Sequence, residues 1–291
     1  MHSDIEKTIR SRIVELQDET GCWNVLAQGD KYYPHLNYYV PNFKSTLWTL
    51  VLLADIETNY RDNDFQRPLK VISDHFYDRR ANIYSIGKSH FPIPCLNGNM
   101  VYLHSYFHSG NDGTMNDIID FFNEYQRFDD GDFKTPSSFP YYANHSCYGK
   151  HSCYWGVVKL LKGLSFIPKS RRSKNAKKLI KNCIDFVLLH KVCYSSHDSS
   201  NYIQRNIQYL TFPNMWQADF LEILWILKRE QVKSARMKGA LDFLMSKRSP
   251  ESTWKMERSI KNLIVPVGKT SYGNELVTRR AREVSKYYQL I

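Results

Sequence analysis

The sequence predicts an all-α fold, a single α/α toroid or barrel of about five inner and five outer helices, with residues 1–291 forming one domain. Three observations predict it. Apolar residues recur with a period near 3.6 in ten segments, and no convincing strand lies between them. The segments alternate between a single apolar stripe and a circumference apolar nearly all round, which means burial on both sides. Three fragments more than 100 residues apart share one punctuation, a helix end, a polar turn and an aromatic, so a repeat organises the chain.

Segment 4–16 carries Ile5, Ile9, Ile13 and Leu16 on one stripe and predicts an outer helix. Segment 43–57 holds Trp48, Val51 and Leu52 in an apolar run with no polar face, and predicts an inner helix. Outer and inner segments then follow in turn: 66–77 and 98–107, 115–125 and 153–166, 176–189 and 213–228, 236–245 and 275–288. In 213–228, Leu221, Leu224, Trp225 and Leu227 again close the circumference. Apolar centres near Trp48, Tyr102, Val158, Leu221 and Thr278 give roughly 55 to 60 residues per helix pair, a unit that buries its face only by stacking.

The repeated fragments are LQDETGCW (16–23), YQRFDDGDF (125–133) and MSKRSPESTW (245–254). The pattern Gln-x3-Gly-x-Trp at Gln17, Gly21 and Trp23 resembles the QW repeat of the squalene-cyclase and protein-prenyltransferase superfamily. It recurs degenerately, with Phe133 in place of Trp and Lys247 in place of Gln. The stretches PCLNGNM (94–100), HSCYGKHSCYWGVVKLLKGL (145–164) and FPNMWQADFLEILWIL (212–227) are similar to a small bacterial branch of these toroids. The resemblance covers nearly the whole chain. It implies an enzyme, a transferase or a cyclase or lyase, acting on an isoprenoid or other amphiphilic, anionic substrate in an aromatic-lined cavity. Trp48, Trp155, Trp216 and Trp225 are the candidate cavity aromatics, whereas Trp23 and Trp254 are expected to staple helices together.

Composition excludes disorder, because 42% hydrophobic residues with 14% aromatics supply an ample core. The longest apolar stretch, 47–56, is too short to span a bilayer, and the start MHSDIEKTIRSR lacks the apolar core of a signal peptide. A cytoplasmic protein is expected, with its six cysteines as thiols, core fillers or metal ligands. Cys22, Cys183 and Cys193 read as structural. The net charge of +11 is densest over 169–181, with Lys169, Arg171, Arg172, Lys174, Lys177, Lys178 and Lys181. Such a run is either the solvated face of a helix or a contact for nucleic acid or another acidic partner. No recognisable nucleic-acid module accompanies it.

Connections from outer to inner helices are long (18–42, 78–97, 127–152, 190–212 and 247–274), whereas returns such as 109–112 and 229–235 are short. Long loops at one end of a repeat array form its binding face, and the inner-helix N-termini converging there favour an anion. This places Cys95, Asn97, Asn99, His145, Cys147, His151, Cys153, His197, Asp198 and Asp219 around one mouth. Zinc prefers thiolate and imidazole, so Cys95, Cys147, His151 and Cys153 are the candidate ligands. The alternative is that the cysteines are packing residues. Protein prenyltransferases hold zinc through an Asp, a Cys and a His at this kind of mouth, and their Asp-x-Cys pairing is absent here.

Cys153 with His151 also reads as a thiol–imidazole nucleophile pair. Asp219, in an otherwise apolar helix, is a candidate general acid or base; the alternative is a buried carboxylate paired to Arg279 or Arg280. Asn97, Asn99, Trp155, Trp216, His197 and Arg279 are the candidate substrate contacts. Asp129, Asp130 and Asp132 read as turn and cap residues. Cys147-Tyr148-Gly149 is similar to a motif of the lanthionine cyclases, which implies zinc-dependent thiol or peptide chemistry as a second reading. A carbohydrate-active toroid and a non-catalytic basic scaffold complete the alternatives.

Overall fold

The computed structural model describes residues 4–58, 65–142, 144–270 and 273–291. The chain is helix-rich, and each of the ten expected helices is present: α1 (Asp4–Val14), α2 (Thr46–Asp55), α3 (Gln66–Phe76), α4 (Pro94–Tyr106), α5 (Asp112–Tyr125), α7 (Tyr154–Phe166), α8 (Lys174–Leu189), α9 (Phe220–Arg229), α10 (Lys238–Ser246) and α11 (Glu275–Tyr287). A one-turn helix, α6 (His145–Tyr148), is added in the loop before α7. None of the described helices is long and apolar enough to cross a membrane.

Strand is scarce, as expected, but not absent. β1 (Tyr77–Asp78), β2 (Ile83–Ile86) and β3 (Phe91–Pro92) form a small antiparallel sheet, and β4 (Thr211–Phe212) pairs parallel with β5 (Arg258–Ser259). The strands have two to four residues, too few to show a period of 2 in the sequence. Helix α9 also starts at Phe220 rather than 213. Asp219, itself in extended backbone, accepts the Glu222 N–H at 2.7 Å as the N-cap, and the residues before it form bends rather than helix.

Burial follows the expected alternation as far as α10, but α11, expected as an inner helix, buries one face only. Every residue of α2 is buried, as are nearly all of α4, α7 and α9, whereas α3, α5, α8 and α10 bury one face. The two elements nearest the ends of the chain are tied together: Arg279 of α11 pairs with Glu6 of α1, and Arg280 lies 4.0 Å from Asp55 of α2.

The repeated aromatics have one job. The Trp23 indole donates to the Ile13 carbonyl of the preceding turn, and the Trp254 indole to Leu244, both at 2.8 Å. Each Trp has its own backbone clasped from the next described helix that follows it, Trp23 by the Thr46 hydroxyl of α2 and Trp254 by the Thr278 hydroxyl of α11, which both accept from N–H and donate to C=O. Asn97 clasps Tyr84 in the same bidentate way, at 3.1 and 2.8 Å. The Phe133 expectation fails here, since Phe133 is 70% exposed and its carbonyl instead accepts from Arg127.

Helices α4 and α7 touch backbone to backbone. A Cβ on Gly98 would fall on the Lys159 carbonyl, and one on Gly163 would fall on the Gly98 carbonyl oxygen. Where these helices meet their neighbours the centre is ionic rather than hollow. Lys159 bonds Glu222 Oε2 at 2.7 Å and the Asn214 carbonyl; Lys162 bonds Asp55 Oδ1 at 2.6 Å and Glu222 Oε1 at 2.8 Å; Tyr102 donates to Asp55 at 3.0 Å. The ion-pair side chains of Lys159, Lys162, Asp55 and Glu222 are fully buried. Burial lowers the Lys159 ammonium to about 8 against the pull of Glu222. Burial acts to raise Asp55, but Lys162, Arg280 and Lys159 hold it below the ordinary carboxylate value.

Candidate metal centre

The polar turn after α5 is built by Arg127, which grips Asp129 through two bonds of 2.6 and 2.7 Å and also bonds the Phe133 carbonyl and Thr135 hydroxyl. Asp129 in turn accepts from the Gly131 N–H. The turn holds Asp130 and Gly131 at φ 52 and 99, a left-handed pair that Asp and Gly tolerate. Gly131 is required for a second reason: a Cβ there would lie 2.7 Å from the His151 ring.

Around Asp130 stand three imidazoles. His151 Nδ1 is 3.6 Å from Oδ1 and 2.9 Å from the Asp130 carbonyl; His197 Nε2 is 3.3 Å from Oδ2 and 3.2 Å from the same carbonyl. One atom each from Asp130, His151 and His197 lies within 4.8 Å of the others, a geometry that could hold a metal ion. Asp130 is buried while both imidazoles are exposed, so the site opens to solvent. Ser196 donates to Asp130 Oδ2 and orients the carboxylate.

His190, 1% exposed, lies behind them. Its Nδ1 is 3.1 Å from the Tyr194 carbonyl, which makes Nδ1–H the donor and leaves a lone pair on Nε2. That Nε2 makes no hydrogen bond and faces Asp130 Oδ2 at 3.7 Å. Burial keeps His190 below the ordinary imidazole value, despite the attraction of Asp130. Two acceptors facing each other in a buried corner leave a site for a cation or a proton.

The expected ligand set Cys95, Cys147, His151 and Cys153 is therefore corrected: His151 joins Asp130 and His197, and no such three-ligand group among the described residues contains a cysteine. Cys95, Cys147 and Cys153 lie close enough to influence one another's ionisation. The neighbouring Cys147 thiol brings Cys153 down to about 7 against burial, whereas burial pushes Cys95 up to about 12. Cys22, Cys183 and Cys193 are fully buried packing residues, as expected.

Asp219 does not face a cavity. It is the buried N-cap of α9 and also accepts from the Thr211 N–H at 2.6 Å, while burial raises its carboxyl to about 7. Asn97 is the clasp on Tyr84, and Asn99 donates to the Met215 carbonyl. Arg279 joins Glu6 and stands 3.9 Å from Glu57. Trp155 is buried, and Asp198 builds its own turn with Ser200 and Asn201. Trp216 lines a cleft of about 530 Å³ together with Asn42, Asn206, Gln217, Arg258 and Lys261. The floor of this cleft includes Asn214 and Met215, whose carbonyls accept from Lys159 and Asn99 beneath.

In the basic run, Arg172 is held bidentately by Glu230, Arg171 by Asp112 and Lys181 by Asp185; Lys177 and Lys178 are exposed. The chain matches no known family, no curated protein and no solved structure.

Reading the sequence missed Asp130 and His190. Asp130 sits in a DDGD string whose turn chemistry is real, since Asp129 does form the turn, and His190 looks like an ordinary helix end. A signal was present: Asp130, His151, His190 and His197 occupy adjacent long loops.

Proposed function

We propose that the chain is a toroid enzyme whose chemistry centres on a zinc ion held by Asp130, His151 and His197, acting on a polar or anionic substrate at the loop face. The observation that carries the reading is the convergence of one carboxylate and two imidazoles, from two separate loops, within 4.8 Å. Three protein ligands with a position left open are what a catalytic zinc site needs. Zinc there would supply Lewis-acid polarisation and acidify a bound water. Ser196 fixes the Asp130 carboxylate, and Tyr194 fixes the His190 tautomer, so that Nε2 can accept a proton beside Asp130.

The toroid is supported by the tie of α11 to α1 and α2, by the one-faced and all-round alternation, and by the repeated Trp clasp. A polar substrate fits better than an isoprenoid. The aromatics that would line a hydrophobic cavity are packed, with Trp48, Trp155 and Trp225 between 0 and 7% exposed, and the helix centre is filled by ion pairs. The Trp216 cleft sets Asn206, Gln217, Arg258 and Lys261 beside Phe43, Met215 and Ile260, so it offers polar groups as well as apolar wall.

Calorimetric titration of chelator-treated protein with Zn²⁺ tests this. One site per chain is expected, weakened at least 10-fold in His151→Ala and in His197→Ala. Unchanged binding in both variants would refute the site.

A further inference from the structure

We propose that the cleft beside Trp216 is a ligand site for a sugar acid, a small polyhydroxylated ring that carries one carboxylate. The assignment rests on the function proposed above for its chemistry and names the class of that function's polar or anionic substrate. Binding itself is independent of the metal, because none of Asp130, His151 and His197 lines the cleft.

The cleft is built where three loops are tied to one another. β4 and β5 pair in register, Thr211 against Arg258 and Phe212 against Ser259, and the Phe43 N–H donates to the Asn262 carbonyl at 3.2 Å. These loops lead into α9, α11 and α2. Two further helices, buried nearly throughout, hold the floor from beneath: Lys159 of α7 bonds the Asn214 carbonyl, and Asn99 of α4 bonds that of Met215. The volume of about 530 Å³ lies within the range of roughly 300–1,000 Å³ that small-ligand sites occupy.

Its walls match each part of such a ligand. Arg258 is partly exposed and Lys261 exposed, and neither has an ion-pair partner among the described residues. The neighbouring Glu257 does not neutralise them, since its carboxylate is taken by Lys247 at 2.7 and 2.9 Å and by the Leu210 N–H at 2.8 Å. The Arg258 guanidinium is steadied by one bond of 3.0 Å to the Gln217 oxygen, which leaves its other N–H groups for a carboxylate. Gln217 and Asn42 each have the amide oxygen engaged, Gln217 by Arg258 and Asn42 by the Trp48 indole at 3.1 Å, so each keeps an N–H₂ donor. Asn214 gives its N–H₂ to the Thr211 carbonyl at 3.0 Å and keeps its oxygen as an acceptor. Hydroxyls, which donate and accept, satisfy both kinds. Trp216 and Phe43, both partly exposed, supply flat apolar surface for a ring face. A purely apolar ligand would leave the cations and amides unpaired.

The test is calorimetric titration of the chelator-treated full chain with D-glucuronate, so that a failed zinc site and an empty cleft are told apart. One saturable site is expected. Glucose, which lacks the charge, and acetate, which lacks the hydroxyls, should each bind at least about 10-fold more weakly, the scale of one hydrogen bond to a charged group. Arg258→Gln should weaken glucuronate about 10-fold and leave glucose unchanged, and Trp216→Ala should weaken both; thermal unfolding confirms that each variant folds. Lys261→Gln, at an exposed position, repeats the charge test should Arg258→Gln fail to fold. No saturable glucuronate binding, glucose binding as tightly as glucuronate, or glucuronate affinity untouched in both charge variants would overturn the proposal. Tighter binding of glucose 6-phosphate than of glucuronate would overturn the carboxylate assignment.

Discussion

Glu222→Gln should destabilise the protein by about 3–5 kcal/mol, the cost of removing one member of a buried ion pair. Glu222 is the carboxylate shared by Lys159 and Lys162, all three side chains fully buried. Without its charge, two ammonium groups and the nearby Arg280 are left facing Asp55 alone. For a chain of this size the loss corresponds to a fall in Tm of roughly 10 °C. Thermal unfolding of wild type and variant measures it directly. Lys159→Met in the same background should recover part of the loss, because it removes one of the stranded cations. A Tm within 2 °C of wild type, by the conversion of roughly 2–4 °C per kcal/mol, would show that the centre is wetter than described.

Gly98→Ala should cost about 3 kcal/mol or more, beyond the usual range for adding one methyl to a packed core. The new Cβ would fall on backbone of α7, which cannot rotate away as a side chain can, so α4 and α7 must separate and break the packing of both. Gly113→Ala supplies a control of opposite sign. A Cβ at Gly113 meets nothing within 4 Å, and the residue lies in α5, so the change should stabilise by about 0.5–1 kcal/mol. Chemical denaturation of the two variants should move the midpoints in opposite directions.

Much of the helical frame was legible because burial writes itself into period. An all-round apolar helix such as α2 and a striped one such as α8 differ in sequence for the same reason that they differ in position. The short strands were not legible, nor was the start of α9, where Asp219 acts as a cap rather than as a residue inside the helix. The ionic centre was signalled but misassigned. A charge in an apolar helix drew attention to Asp219, whereas Asp55, Lys159, Lys162 and Glu222 carry the same signal and are the ones that meet.

The candidate site was half legible. His151 and His197 stood out as loop imidazoles, but their shared partner Asp130 was hidden by a turn that needs Asp for another reason. His151 was assigned to the wrong company. Cys95, Cys147 and Cys153 stay near one another, and the nitrogen of His151 points to the turn instead.

The central claim is that Asp130, His151 and His197 bind zinc. The most direct measurement is an anomalous difference map at the zinc edge from untagged protein crystallised with one equivalent of Zn²⁺. The account predicts one peak about 2.0–2.2 Å from an Asp130 carboxylate oxygen and a ring nitrogen of both His151 and His197. A peak among Cys95, Cys147 and Cys153, or no peak at Asp130, would contradict it.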